Sequence, residues 1–176
     1  KLRWLNGRHL RELQPPEYAR RLGDFLAVAE PAAHAEFQAV ADAEREAACR
    51  IVSDKAQTLA EAWRLVAFLF LEPEPDPKAW RKIMGPESAQ PLGEGRDALD
   101  AAEAWEADAL EAALAQVLTR LDLKPNALYQ PIRVAITGGS VSPGIFDSLA
   151  ALGRRRSLER IEAALERMSP SSPERA

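Results

Sequence analysis

Apolar side chains recur every three or four residues along most of the chain, and prolines and glycines interrupt the pattern at intervals. This spacing is typical of helices that bury one face. It predicts a short helix from Trp4 to Leu13. A second helix is predicted from about Glu17, with the apolar stripe Tyr18, Leu22, Phe25 and Leu26. The alanine-rich segment from Ala33 to Asp54 predicts one long helix.

The clearest internal boundary is the segment from Leu71 to Pro77, which contains three prolines in alternation. No regular helix accommodates that pattern, because each proline removes a donor and restricts the residue before it. Upstream, Thr58 and Glu61 have the spacing of a capping box and predict the start of another helix. We therefore expect two helical clusters, residues 1–75 and residues 76–176.

The middle of the chain is harder to assign. Lys78 to Met84 predicts a turn or two of helix, whereas Gly85 to Gly95 predicts a loop because it holds two prolines and three glycines. Asp97 to Asp122 predicts a helix with a break near Trp105. The apolar run from Ile132 to Ile136 is too short for periodicity to assign.

Two helices are predicted near the C-terminus. Pro143 suits the first turn of a helix that reaches Leu152, and Gly153 suits its C-terminal cap. The last helix is expected to bury Leu158, Ile161, Leu165 and Met168, before a frayed polar tail from Ser169 to Ala176. Abundant Ala and Leu with few β-branched residues predict an all-α fold.

Composition excludes several classes of protein. Cys49 is the only cysteine, which excludes an internal disulfide framework and fits a cytoplasmic location. No apolar run approaches the ~20 residues that a membrane-spanning helix needs. Arg3, Arg8 and Arg11 occupy the region where a signal peptide would be apolar. Because the chain begins with Lys1 rather than Met, we expect it to be a fragment.

The distribution of charge matters more than its sum. The formal net charge of −4 by itself disfavours a nucleic-acid-binding protein. However, acidic residues are concentrated in segments such as Glu103 to Glu111, whereas Arg133 to Arg160 is basic and includes the consecutive residues Arg154, Arg155 and Arg156. An acidic chain can therefore still present one cationic face.

The sequence contains no pattern that indicates catalysis. His9 and His34 lack partners at metal-ligand spacing, so we expect no metal site. The segment Gly138-Gly139-Ser140 lacks the Gly-Lys-Ser/Thr ending of a phosphate loop. Carboxylate pairs such as Glu103 and Glu106 are typical of a solvated helix face. We expect no catalytic residue in this chain.

Two segments carry a family resemblance. The chain opens with Lys-Leu-Arg-Trp-Leu-Asn-Gly-Arg-His-Leu-Arg, and Leu123 to Leu165 contains, in order, Gln-Pro-Ile-Arg, Thr-Gly, Ser-Pro-Gly and Leu-Gly. The first segment resembles the junction between the catalytic half and the helical region of bacterial glutamyl-tRNA synthetases, which are class I aminoacyl-tRNA synthetases. The second resembles their C-terminal anticodon-binding subdomain, and its ordered motifs are the more specific.

The resemblance implies a cage of short helices in two subdomains. Residues 1–75 would follow the catalytic domain, and residues 76–176 would bind the anticodon stem-loop of tRNA(Glu). The parent enzyme, a cytoplasmic monomer that does not bind membranes, would ligate glutamate to that tRNA with ATP and Mg²⁺ in its catalytic domain. The signature motifs of that domain are absent from this sequence. The fragment alone is therefore expected to be inactive and to hold no cofactor.

The resemblance also implies which residues bind the anticodon. Arg133 matches a family arginine that contacts it, and Gln130 lies about one helical turn earlier with both donor and acceptor atoms. Ser142, Pro143 and Gly144 match the loop and helix start that pack against anticodon bases. Ile145 would provide either an apolar wall for a base or a core side chain.

The cations outside this segment leave alternatives open. Lys55 stands where many family members carry an arginine that reads the last anticodon base, and Arg50 is a nearby alternative. Lysine keeps the charge but lacks the bidentate fork, which puts discrimination between glutamate and glutamine anticodons in doubt. Arg154, Arg155 and Arg156 are candidates for phosphate contacts or a solvated rim. The four tryptophans are expected to be core residues, with Trp80 the most exposed.

Three functions are compatible with these features. The first is anticodon recognition by a discriminating glutamate–tRNA ligase, and the second is the same role in a relaxed enzyme that also charges tRNA(Gln). The third is a helical domain that keeps the fold but binds protein, which the negative net charge favours.

Overall fold

The computed structural model describes residues 2–169, and describes side chains from Asn6 onward. Within these residues the chain forms eleven α-helices, one 3-10 turn and no strand, which confirms the all-α prediction. The side chain of Trp4 and the predicted tail beyond Ser169 lie outside the described residues.

The described chain divides into two compact units. The first comprises the residues up to Pro73 together with Val141–Ala151, and the second comprises Glu74–Ser140 and the residues from Leu152 onward. The sequence-based division at residue 75 lies close to Pro73, but it assigned residues 141–151 to the C-terminal cluster. The chain therefore returns once to the first unit.

The first unit contains five consecutive helices and one later helix. They are α1 (Leu2–Glu12), α2 (Pro15–Ala29), α3 (Pro31–Ala39), α4 (Asp42–Val52), α5 (Leu59–Val66) and, after the long excursion, α10 (Ile145–Leu152). A 3-10 turn, Ala67–Leu69, follows α5 directly. The last residue of α10, Leu152, is counted with the second unit.

An aromatic cluster fills the core of the first unit. The Phe37 ring lies 6.2 Å from the Trp63 ring and 4.9 Å from the Phe70 ring, measured between centroids. The Trp63 indole Nε1 donates a 3.0 Å hydrogen bond to the Glu30 carboxylate, so its polar atom is satisfied although the ring is buried. This confirms Trp63 as a core residue.

The start of α5 confirms the predicted capping box. The Glu61 backbone N–H donates to the Thr58 hydroxyl at 3.1 Å. The Glu61 carboxylate in turn accepts a 2.9 Å bond from the backbone N–H of Gln57. The first bond satisfies a donor that the helix start leaves unpaired, and the second fixes the residue before the N-cap.

The prediction of one helix from Ala33 to Asp54 is wrong, because α3 ends at Ala39 and α4 begins at Asp42. Val40 and Ala41 between them are extended. The Arg45 guanidinium donates to the backbone carbonyls of Gln38 at 3.1 Å and Val40 at 2.8 Å. A single side chain thus satisfies carbonyls that the end of α3 leaves unpaired. The high alanine content of this segment gives no sign of the break between the two helices.

The second unit contains the other five helices. They are α6 (Pro77–Ile83), α7 (Pro86–Asp100), α8 (Ala107–Leu121), α9 (Pro125–Thr137) and α11 (Arg154–Met168). Helix α7 is central, because it packs against α8, α9 and α11. The proline segment before α6 is irregular, as predicted, and the break between α7 and α8 includes Trp105, also as predicted.

The prediction of a loop from Gly85 to Gly95 is wrong, because these residues cap and begin α7. Gly85 is the N-cap, and Pro86 occupies the first turn, where its missing N–H costs nothing. Pro91 lies inside the helix and is buried. Gly95 is close to Leu128 and Ile132 of α9, so close packing between helices overrides low helix propensity.

Two further predictions near the C-terminus need correction. Pro143 precedes α10 rather than lying in its first turn, because the helix begins at Ile145. In α11 the buried residues are Ser157, Arg160, Ile161 and Ala164, so of the predicted apolar face only Ile161 is fully buried. Arg160 occupies the buried stripe at helical spacing. Gly153 precedes α11 with φ of 84°, a conformation that favours glycine.

Candidate nucleic-acid interface

Helix α9 carries the two strongest candidates, Gln130 and Arg133, one turn apart. The helix begins at Pro125 and ends before Gly138, whose φ of 77° is typical of a glycine C-cap. It includes the apolar run from Ile132 to Ile136, which the periodicity of the sequence did not assign to a helix or a strand. Both candidates therefore lie on a regular element whose other face is buried.

Gln130 presents an unsatisfied acceptor. Its side chain is half-buried, and its Oε1 is buried without a hydrogen-bond partner among the described residues. Leaving a buried carbonyl oxygen unpaired costs about 1–3 kcal/mol. Rotation of the half-buried side chain would present this oxygen to a ligand donor, such as the exocyclic amine of a base, without breaking an internal hydrogen bond to it.

Arg133 is a half-buried cation. Burial lowers the pKa of the Arg133 guanidinium from its ordinary value, but an arginine remains protonated at neutral pH. A charge held in a partly desolvated setting interacts more strongly with a partner than a fully solvated one does. The guanidinium also offers a planar surface and a fork of donors, which suit stacking on a base or pairing with its edge.

The C-terminal end of α9 is held by a compact hydrogen-bond network. The Thr137 hydroxyl donates to the Arg133 carbonyl at 2.8 Å and accepts a 3.3 Å bond from the Gly139 N–H. The Gly138 carbonyl accepts a 2.8 Å bond from the Asp76 N–H. The backbone that carries Arg133 is therefore fixed by partners on both sides.

The Ser142 to Ile145 segment belongs to the first unit and is largely buried. Pro143 is buried and Ile145 is only 5% exposed, which favours the core alternative for Ile145. The Ser142 hydroxyl donates to the Pro143 carbonyl at 2.9 Å. Ser142 and Gly144 retain partial exposure, so they are the members of this segment that a ligand can approach.

The N-terminus of α10 already has a carboxylate beside it. A Cβ atom built on Gly144 would collide with the Asp147 carboxylate, so this side chain folds back over the helix start. An acidic group there is stabilised by the positive end of the helix dipole. It also repels phosphate, so this helix start is better suited to a neutral base than to the backbone of RNA.

Lys55 is exposed in the turn after α4, and its backbone N–H donates to the Val52 carbonyl at 2.9 Å. Arg50, the alternative, is exposed on α4 and lies 3.8 Å from the Glu46 carboxylate. Both cations are on the first unit and both are accessible to solvent. The Lys55 side chain is therefore exposed just after the C-terminal end of α4.

The three consecutive arginines have different roles. Arg154 donates to the backbone carbonyls of Asp100 and Ala102 and lies 5.3 Å from the Trp105 ring centroid, so it holds the loop between α7 and α8. The Arg156 Nε donates to the Leu152 carbonyl at 3.0 Å. Only Arg155 is widely exposed, at 77%, and it pairs with Glu159 at 2.7 Å. As phosphate-contact candidates, Arg154 and Arg156 are weakened by these internal bonds.

Sequence reasoning missed Arg160, which is 8% exposed. The Arg160 Nη1 donates a 2.8 Å hydrogen bond to the Ile136 carbonyl, in the last turn of α9. A cation at a helix C-terminus also interacts favourably with the helix dipole. The available signal was its position, because Arg160 shares the i, i+3, i+4, i+7 stripe of Ser157, Ile161 and Ala164.

The candidates therefore fall into two groups. Gln130, Arg133 and the arginines after Gly153 lie on the second unit, whereas Lys55 and the residues from Ser142 to Ile145 lie on the first. Within the part of the chain that the structure describes, no group of three or more His, Cys, Asp and Glu residues could hold a metal ion. No helix among the described residues is long and apolar enough to span a membrane.

Curated relatives resemble the chain along most of its length. It is 40% identical over 161 residues to the glutamate–tRNA ligase of Mycolicibacterium vanbaalenii, an alignment that covers 90% of this chain and 32% of that protein. It is 41% identical over 170 residues to the glutamate–tRNA ligase of Mycolicibacterium paratuberculosis, covering 96% of this chain and 34% of the relative. The chain thus spans about a third of the length of these relatives.

Solved structures share the fold. A glutamate tRNA ligase from Elizabethkingia meningosepticum, in complex with its amino acid, superposes with a TM-score of 0.78 at 19% identity, covering 95% of this chain and 32% of that one. The family model described as an anticodon binding domain matches residues 17–165, which include every candidate described above. The chain belongs to the anticodon-binding domain family.

Proposed function

We propose that this chain is the anticodon-reading part of a glutamate–tRNA ligase, and that it binds the anticodon stem-loop of tRNA(Glu). The parent enzyme would attach glutamate to that tRNA with ATP and Mg²⁺ in a catalytic region outside this sequence, as a cytoplasmic monomer. The relatives named above are glutamate–tRNA ligases, which supports this choice of ligase.

The pairing of Gln130 with Arg133 carries the proposal. Sequence-specific RNA recognition targets loops whose bases are splayed out, stacked on planar side chains and hydrogen-bonded along their edges. Arg133 supplies a plane and donors, and Gln130 Oε1, which has no partner among the described residues, would supply an acceptor once its side chain turns outward. One turn of α9 thus offers complementary groups to a base edge.

A relaxed enzyme that also charges tRNA(Gln) is the second candidate, and Lys55 favours it. The side chain is exposed and carries a point charge where an arginine fork would discriminate between bases. A lysine can contact a phosphate or a base acceptor but cannot make the paired donor geometry of arginine. We therefore expect Lys55 to add affinity for RNA and little preference between the two anticodons.

The test is a titration of this chain with a labelled glutamate anticodon stem-loop at two ionic strengths, with a glutamine stem-loop alongside. Salt-sensitive binding that prefers the glutamate loop would support a discriminating reader. Equal binding of both loops would support the relaxed enzyme, and Lys55→Arg should then restore a preference. Absence of binding to either loop at low salt would contradict the proposal and leave the protein-binding alternative.

The residue-level test compares Arg133→Ala with Arg20→Ala in α2. Arg133→Ala should weaken binding of the glutamate stem-loop by about 5- to 150-fold, the range expected for loss of a specific contact of about 1–3 kcal/mol. Arg20 is exposed, pairs with Glu17 and Asp24, and is no candidate for contact with RNA, so its loss should leave affinity nearly unchanged. Equal affinities for the two variants, both folded by circular dichroism, would exclude Arg133 as a reading residue.

A further inference from the structure

Helices α7 and α8 border an open groove of about 710 Å³ on the second unit, here called the α7–α8 groove. It is lined by residues between Glu94 and Ala104, from α7 and the loop that follows, and between Ala109 and Arg120 on α8. Seven of its thirteen lining residues are alanines, so its walls are largely methyl groups close to the helix backbones. The anticodon candidates are absent from this lining.

The dimensions of the α7–α8 groove suit a helix. The lining residues of α8 extend from Ala109 to Arg120, eleven residue steps that correspond to about 16 Å or three turns. Alanine side chains allow two helices to approach more closely than larger residues do. An extended peptide would gain little here, because the backbone groups of α7 and α8 are already paired within the helices.

The charge around the α7–α8 groove is strongly negative. The segment from Asp97 to Thr119 contains six acidic residues and no lysine, arginine or histidine. Two of the three acidic lining residues are paired, Glu94 with Arg120 and Asp97 with Arg96 at 2.8 Å. Glu103 is exposed and forms no ion pair among the described residues. An apolar floor with the unpaired acid Glu103 at its rim, in a segment rich in acidic residues, is complementary to a cationic amphipathic helix.

We propose that the α7–α8 groove is a docking site for a basic amphipathic helix of a partner protein. The partner would place a stripe of small apolar residues against Ala109, Ala112 and Ala113, with a Lys or Arg residue beside Glu103. RNA is a poor occupant, because its phosphates would be repelled by the acids at the rim. The proposal goes beyond anticodon recognition and stands independently of it.

The test uses the whole chain and a defined probe. The probe is a synthetic helical peptide of about 15 residues with an Ala/Leu stripe flanked by lysines, and a second peptide carries glutamates in place of the lysines. Binding is followed by amide chemical-shift changes at increasing peptide concentration. Ala112→Trp fills the groove, and Ala115→Trp is its matched control, since Ala115 is an exposed residue of α8 outside the lining.

The proposal predicts saturable shifts confined to residues of the α7–α8 groove with the lysine peptide. It predicts about tenfold or greater loss of affinity in Ala112→Trp and in Glu103→Lys, with no change in Ala115→Trp. Equal binding of the glutamate peptide, shifts elsewhere on the chain, or no saturable binding would overturn it. An anticodon stem-loop that shifted the groove residues would also overturn it, and would do so without affecting the role of Arg133.

Discussion

The buried guanidinium of Arg160 donates a 2.8 Å hydrogen bond to the carbonyl oxygen of Ile136, and so joins α11 to the last turn of α9. Ile136 lies three residues beyond Arg133 on the same helix. The orientation of the turn that carries the reading residues is therefore coupled to a side chain that touches no proposed ligand.

Replacing Arg160 with Met should destabilise the chain by about 2 kcal/mol, because a buried carbonyl loses a charge-assisted hydrogen bond. Arg155→Met is the control, since Arg155 is exposed and should change the free energy of unfolding by no more than about 0.5 kcal/mol. Urea unfolding measures both. Comparable stabilities of the two variants would show that the Arg160 bond contributes little.

Gln130→Met should separate binding from stability. The substitution removes a buried oxygen that has no partner among the described residues, so the free energy of unfolding should stay constant or rise by about 1 kcal/mol. Affinity for the anticodon stem-loop should fall, because the acceptor is lost. A variant that is both less stable and unchanged in RNA binding would assign Gln130 a purely structural role.

Two glycines of α7 provide a matched pair. A Cβ atom at Gly95 would lie 2.9 Å from Leu128 Cδ1 and 3.2 Å from Ile132 Cδ1, whereas one at Gly93 would meet nothing within 4 Å. Gly93→Ala should stabilise the chain by about 0.5–1 kcal/mol through helix propensity. Gly95→Ala should be at least about 1 kcal/mol worse, because the buried Leu128 and Ile132 side chains must shift within a packed core. Thermal unfolding of both variants tests the difference.

Cys49 should be protected from thiol reagents until the chain unfolds. Burial raises the pKa of the Cys49 thiol to about 12 from an ordinary value of 9.0. The thiolate fraction at pH 8 is then about a thousandfold smaller than for a free thiol. The labelling rate at pH 8, measured without and with urea, checks this. Rapid labelling of the folded chain would contradict the burial of Cys49.

The same shift has a consequence for the pH dependence of stability. Between pH 9 and pH 12 the Cys49 thiol stays protonated in the folded state but loses its proton in the unfolded state. The contribution of Cys49 to stability is therefore complete below pH 9. It should decline as the pH rises from 9 toward 12. Unfolding curves for Cys49→Ala should show a smaller decline across that range than those of the unaltered chain.

The sequence predicted the elements whose signals are local. The capping box at Thr58 and Glu61 and the proline segment before α6 both depend on neighbouring residues, and both were correct. The predictions failed where a distant side chain decided the outcome. Arg45 ends α3 by bonding carbonyls up to eight residues away, and contacts from α9 stabilise a helix over the glycines and prolines of α7.

The candidate site was predictable in part. The ordered motifs identified Gln130 and Arg133 as candidates about one helical turn apart. Periodicity alone, however, did not show that the apolar run beside them lies in a helix. The exposure of a side chain depends on tertiary packing, so the sequence left open whether Ile145 is a core residue. For the same reason, Arg154 was a phosphate candidate, although its guanidinium donates to backbone carbonyls within the fold. The roles of Lys55 and Gln130 remain predictions that the binding experiments decide.

The bond from the Asp76 N–H to the Gly138 carbonyl has a consequence for how this domain can diversify. It joins two residues that are 62 positions apart in the sequence. The segment from α6 to α9 therefore begins and ends at neighbouring points in the fold. Insertions or deletions in the connections of such an excursion do not displace its ends, and lengthening a loop costs little entropy. The connections on either side of α7 can thus change in length while the packed helix α7 and the end of α9 stay fixed.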